Sequence, residues 1–132
     1  MPSFFSKSNE AESPRFSETN SLEKRKAEAQ KIFQKYGGTR IPVIVERSAS
    51  SAKTVPLIDK KKYLVPRDMG FGQFIHIIRK RIKLAPNQAI FLYVNNVLPA
   101  SSVTMSELYE QHKSSDDFLY AIYAGETTFG YE

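Results

Sequence analysis

Between Phe71 and Ile82 the chain carries two apolar stripes at helical spacing. Phe71, Ile75, Ile78 and Ile82 follow one another at intervals of 4, 3 and 4, which puts them on one face of a helix. Phe74 and Ile77 form a second stripe rotated from the first. That is more apolar surface than a helix covering one face of one sheet needs, so the helix either packs under other structure or lines a groove. The chain has 132 residues, the size of one ordinary domain.

The flanking segments supply strands. Residues 41–47 alternate Ile41, Val43 and Val45 against Pro42, Ile44 and Glu46, a strand rich in β-branched residues. A polar loop over 48–53 leads to a second strand over 57–65, bounded by Pro56 and Pro66, so the two form a hairpin with a long loop. Pro66 and the Lys60-Lys61-Lys62 triple suit an edge strand, since proline cannot donate to a ladder and lysines discourage stray pairing. A guarded edge can also be a docking edge. After the helix, 84–87 is a turn, 90–94 a buried strand and 95–96 a second turn. Thr104 and Glu107 then open a short helix reaching His112, and 118–124 is an aromatic-rich strand.

Upstream, Asn20 and Glu23 have capping-box spacing for a helix over 21–36, closed by Gly37-Gly38 and charged outside through Glu23, Lys24, Arg25, Lys26 and Glu28. Residues 14–19 read as one short helical turn within a serine-rich stretch, 1–20, expected to be mostly a mobile extension. The element order predicts an α+β domain over 21–124, a four-stranded mixed sheet clasping one helix, with a flexible tail over 125–132.

The chain has no cysteine, which excludes disulfides, thiolate metal sites and a cysteine nucleophile. The two histidines, His76 and His112, lack metal-ligand spacing, and no phosphate loop or nucleophile elbow occurs, so neither an enzyme nor a cofactor site is expected. No apolar run approaches the roughly 20 residues of a membrane span, no signal peptide or glycosylation sequon is evident, and an intracellular protein is expected. Lys and Arg exceed Asp and Glu by 19 to 14. The excess is regional: residues 53–83 hold nine basic residues against Asp59 and Asp68. Such a patch fits an acidic partner. The aromatics read as core residues rather than as a base-stacking platform, so nucleic acid is not the expected partner.

Several stretches together resemble the ubiquitin-like modifiers of autophagy, the family containing the GABA-A-receptor-associated protein. They are Glu23-Lys24-Arg25-Lys26-Ala27-Glu28, Arg40-Ile41-Pro42-Val43-Ile44, Ile58-Asp59-Lys60-Lys61-Lys62-Tyr63-Leu64-Val65-Pro66, Gly72-Gln73-Phe74, Ile78-Arg79-Lys80-Arg81-Ile82, Phe118-Leu119-Tyr120 and Thr128-Phe129-Gly130. They agree in order and spacing from about Leu22 to Gly130. The resemblance implies a ubiquitin-like β-grasp fold with additional N-terminal helices. It also implies that a dedicated cysteine protease trims the tail after Gly130, next to Phe129, and that an E1-like and E2-like relay joins Gly130 to phosphatidylethanolamine. A glycine suits that step because it presents no side chain to a narrow channel. The absence of cysteine suits a passenger of thioester chemistry, since the enzymes bring the thiols.

The resemblance further implies cargo receptors carrying aromatic-x-x-aliphatic motifs, which add a strand to the edge at about 61–66. Carried over by position, an aromatic pocket comprises Glu28, Ile32, Pro42, Ile44, Lys62, Leu64 and Phe118. An aliphatic pocket comprises Tyr63, Val65, Pro66, Met69, Phe74 and Ile77. Lys60, Lys62, Arg81 and Arg40 would meet acidic residues flanking the motif. The implied location is the cytoplasm, the autophagosomal membrane after lipid conjugation, and delivery to a vacuole or lysosome. Departures are Met69 in place of leucine, slightly longer stretches at Gly37-Gly38 and 48–53, and about ten extra N-terminal residues. The competing reading is a basic β-grasp adaptor that binds nucleic acid or cytoskeleton without conjugation.

Overall fold

The computed structural model describes residues 14–51 and 53–126. In chain order these form α1 (Phe16–Thr19), α2 (Leu22–Tyr36), β1 (Arg40–Arg47), a 3-10 turn (Ala49–Ser51), β2 (Lys62–Pro66), α3 (Phe71–Ile82), β3 (Phe91–Val94), α4 (Met105–His112) and β4 (Leu119–Ala124). The strands make one mixed sheet in the order β2-β1-β4-β3, with β1 and β4 parallel and the outer pairs antiparallel. This is the expected α+β, ubiquitin-like arrangement, with β2 on one edge.

Three local readings are corrected. The long helix is capped by Ser21, whose Oγ accepts from Lys24 N–H, rather than by Asn20. Asn20 instead donates from its side chain to Phe16 O and closes α1. The second strand begins at Lys62 rather than at 57, because Ile58 donates its N–H to the Tyr123 hydroxyl instead of to a strand. Finally, Phe74 of the surplus stripe is wholly buried and stands edge-on to Tyr63 at 5.9 Å, so it serves the core, while Ile77 remains exposed.

Successive side chains of β1 point to opposite faces of the sheet and both faces are covered, so nearly every residue of the strand is buried. Ile41, Val43 and Val45 face α3 with Val65, Leu119, Ala121 and Tyr123, forming the main core. Ile44 faces the other way and meets Ala29 and Phe118, with Phe16, Ile32, Phe33 and Tyr120 packed around them. The two N-terminal helices therefore cover a second apolar patch on the outer side of the sheet. Phe16 stands edge-on to Phe118 at 5.3 Å, which adds quadrupole attraction to the burial. The tie between α2 and the sheet is polar as well: Arg25 donates to the wholly buried Asp116 at 2.7 Å.

Burial pushes the hydroxyls of Tyr63 and Tyr109 up to about 12 and raises those of Tyr120 and Tyr123. The folded chain thus keeps protons that the unfolded chain releases above pH 10, the ordinary tyrosine value. This contribution to stability is whole below pH 10 and is lost as pH rises towards about 12. Urea midpoints measured from about pH 9 to about pH 12 should fall across that window. A midpoint that stays level would contradict the assignment.

Candidate functional site

β2 is one of the two edges of the sheet. β1 and β2 pair Ile41 with Val65 and Val43 with Tyr63, and Val45 N–H donates to Lys61 O at 2.8 Å. Antiparallel pairs alternate between bonded and non-bonded, so the intervening Lys62 and Leu64 turn their N–H and C=O groups away from β1, toward the free edge. Pro42 lies opposite Leu64, at a position that asks no ladder bond of it from β2. The Leu64 carbonyl is met from outside by the Arg40 guanidinium at 3.4 Å.

Beside this edge lies an open depression of about 660 Å³ lined by Glu28, Ile32, Lys60, Lys61, Lys62 and Leu64. Of the residues expected in an aromatic pocket, Glu28, Ile32, Lys62 and Leu64 are thus brought together. Ile44 and Phe118 are wholly buried beneath α2, and Pro42 is buried too, so these three form the floor's support rather than open lining. Lys61 is a lining residue that sequence reading missed. Strict alternation sets Lys61 apart from Lys60 and Lys62, but Lys60 and Lys61 precede the regular strand, where alternation does not govern.

Charge at the depression is held by carboxylates. Lys62 pairs with Glu28 across the opening, and its Nζ also lies 5.4 Å from the centre of the Phe16 ring. Lys61 donates to Glu46 at 3.0 Å, and the same carboxylate oxygen accepts from Phe16 N–H at 2.7 Å. Glu46 is nearly buried, so it fastens α1 to the sheet and holds Lys61 in place at once. Phe16 is the second residue missed; an aromatic ahead of the helix cap was the available signal.

The expected aliphatic pocket divides differently. Tyr63, Val65 and Phe74 are packed shut in the core, whereas Pro66, Met69 and Ile77 lie partly or wholly at the surface. β2 alternation sends Tyr63 and Val65 to the α3 side and Lys62 and Leu64 to the α2 side, so the two clusters flank the edge from opposite faces. Of the cations assigned to acidic flanks, Arg81 donates to Asp59 at 2.8 Å and holds that carboxyl below its usual range. Lys60 lies 5.2 Å from the centre of the Tyr63 ring. Arg67 is paired to Glu110 as well, so Lys61, Lys62, Arg67 and Arg81 of the basic run each hold a carboxylate.

Phe129 and Gly130, expected at the processing site, lie outside the described residues. Among the described residues no group of acidic or histidine side chains could hold a metal ion. No helix there is long and apolar enough to cross a membrane.

Comparison with known proteins matches residues 24–130 to the family model described as "Autophagy protein Atg8 ubiquitin like". Autophagy-related protein 8 of Mycosarcoma maydis is 57% identical over 115 residues, covering 87% of this chain and 95% of the relative. Autophagy-related protein 8d of Arabidopsis thaliana is 56% identical over 115 residues, covering 87% and 93%. Autophagy-related protein 8 of Coccidioides immitis is 54% identical over 116 residues, covering 88% and 97%. With the family model spanning most of the chain and identity above one half across nearly the whole of these relatives, the chain belongs to the Atg8 family of ubiquitin-like autophagy proteins.

Proposed function

We propose that this protein is a non-enzymatic modifier of autophagosomal membranes: its tail is cut after Gly130, that glycine is joined to phosphatidylethanolamine, and the exposed domain recruits cargo receptors through short aromatic-x-x-aliphatic peptides. The observation that carries the recruiting half is the β2 edge, where Leu64 and Lys62 turn backbone groups that β1 does not use toward an apolar depression walled by lysines. An extended peptide adds to such an edge through its main chain, and the flanking side chains choose it. Arg40 must leave the Leu64 carbonyl for a new strand to bond there, and acidic residues beside the motif give it somewhere to go. They also compete with Glu28 for Lys62. The processing half is supported by the family match, which ends at Gly130.

Intact mass of the protein recovered from cells tests the reading. A chain ending at Gly130 and carrying a phospholipid supports it; a chain running unmodified through Glu132 overturns it. For the docking edge, Leu64→Ala should weaken binding of an acidic-flanked motif peptide about 10- to 100-fold by calorimetry, since about 1.5–3 kcal/mol of apolar burial is forfeited. Tyr63→Ala is the poorer probe, because Tyr63 belongs to the core. Unchanged affinity for Leu64→Ala would refute the docking site.

A further inference from the structure

The last ladder partner of β4 is Ala124, yet Gly125 is not released. Its N–H donates to Ser51 Oγ at 3.0 Å, and Ser51 is wholly buried in the 3-10 turn. A Cβ on Gly125 would lie 2.9 Å from Thr54 Oγ1 and 3.2 Å from Val55 Cγ1, so the glycine sits in a fitted slot. The loop that forms the slot is fastened to the end of β4. Ser48 N–H donates to Tyr123 O at 2.8 Å. The Tyr123 hydroxyl donates to Pro56 O at 2.7 Å and accepts from Ile58 N–H at 2.8 Å. Arg47 donates to Val55 O at 2.9 Å, and Gln88 donates from its side chain to Thr54 O at 2.6 Å. Loop and strand end therefore form one hydrogen-bonded unit, in the stretch whose length departs from the resembled family.

The sheet does not need this seat, because its ladders are complete at Tyr123 and Ala124. A buried hydroxyl committed to the first residue past the last strand does something else: it sets where the chain leaves the domain. We propose that Ser51, with the slot it shares with Gly125, is a positioning residue for the C-terminal tail, holding its origin and direction so that Gly130 reaches an enzyme engaged with the domain. This rests on the reading that the tail is trimmed after Gly130. Only four residues lie between Gly125 and Gly130, at most roughly 17 Å of extended chain from one glycine to the other, so the anchor of so short a tether governs what its end can reach. Fixing the anchor lowers the ordering cost when both domain and tail are bound.

The test uses the full chain, with Ser51→Ala removing the acceptor and Gly125→Ala crowding the slot from the other side. The cleavage probe is a tail-trimming cysteine protease active on family members. Each variant should raise KM about three- to tenfold with kcat within about twofold, the pattern of lost binding rather than lost chemistry. The Gly125 amide should exchange with solvent about tenfold faster in Ser51→Ala while strand amides are unchanged. If Ser51→Ala does not fold, Gly125→Ala carries the cleavage measurement alone. Unchanged KM and kcat in a folded variant would overturn the positioning role and leave trimming intact; a wild-type chain that is not cut overturns both.

Discussion

Asp116→Ala should destabilise the protein by about 3–5 kcal/mol, the usual consequence of removing one member of a buried ion pair. Asp116 is wholly buried and its two oxygens serve three donors: Arg25 at 2.7 Å, the Tyr120 hydroxyl at 2.5 Å and Phe118 N–H at 2.9 Å. Alanine leaves the Arg25 charge largely enclosed and two further donors without their acceptor. Each loss is a desolvation that nothing repays. The bond also joins residues 91 positions apart, so its loss loosens α2 from the sheet and with it Ile32 and Glu28 of the depression. Asp116→Asn keeps an acceptor for Phe118 but loses the charge facing Arg25, and should cost about half as much. Urea unfolding followed by circular dichroism measures both; a loss below about 1 kcal/mol for alanine would show that the site relaxes or admits water.

The second large effect concerns Gly130→Ala. Under the proposed processing, a methyl at residue 130 would have to pass the same channels as glycine, and displacement of a reacting carbonyl by about 1 Å costs on the order of a hundredfold in rate. Glycine also reaches backbone angles closed to alanine, which a chain threading a narrow site uses. The expected outcome in cells is a protein that keeps Tyr131 and Glu132 and carries no lipid, read by the same intact mass measurement. The folded domain, ending its ladder at Ala124, should be unaffected, with peptide binding at the β2 edge as in the wild type. Lipid conjugation of Gly130→Ala at the normal level would remove the glycine requirement. Normal processing with lost peptide binding would instead place Gly130 in the docking function, contrary to the geometry of the edge.

The elements with strong local signals were legible in the residues. Thr104 and Glu107 cap α4 reciprocally, Gly37 ends α2 with a φ of 60°, and the pairing of β1 with an edge strand follows from alternation and Pro66. Where the residues allow two local solutions, a further contact decides between them. Asn20 and Ser21 are both good caps, and the choice between them was made by Asn20 reaching back to Phe16 O. Residues 57–61 are apolar and basic enough to read as strand, but the Tyr123 hydroxyl, 65 residues away from Ile58, holds them in a loop. The expected docking residues came from family resemblance alone, and burial places Ile44, Phe118, Tyr63, Val65 and Phe74 in the packing.

What the sequence by itself determined are the quantities carried by near neighbours: helical and strand periodicity, caps, the absence of thiols, the concentration of positive charge between 53 and 83, and Gly130 itself. Tertiary structure alone decided which of those charges are already spent. Lys61 on Glu46, Lys62 on Glu28, Arg81 on Asp59 and Arg67 on Glu110 join residues between 15 and 43 positions apart. An ion pair depends on distance in space, and no local pattern encodes a distance that only the closed sheet creates.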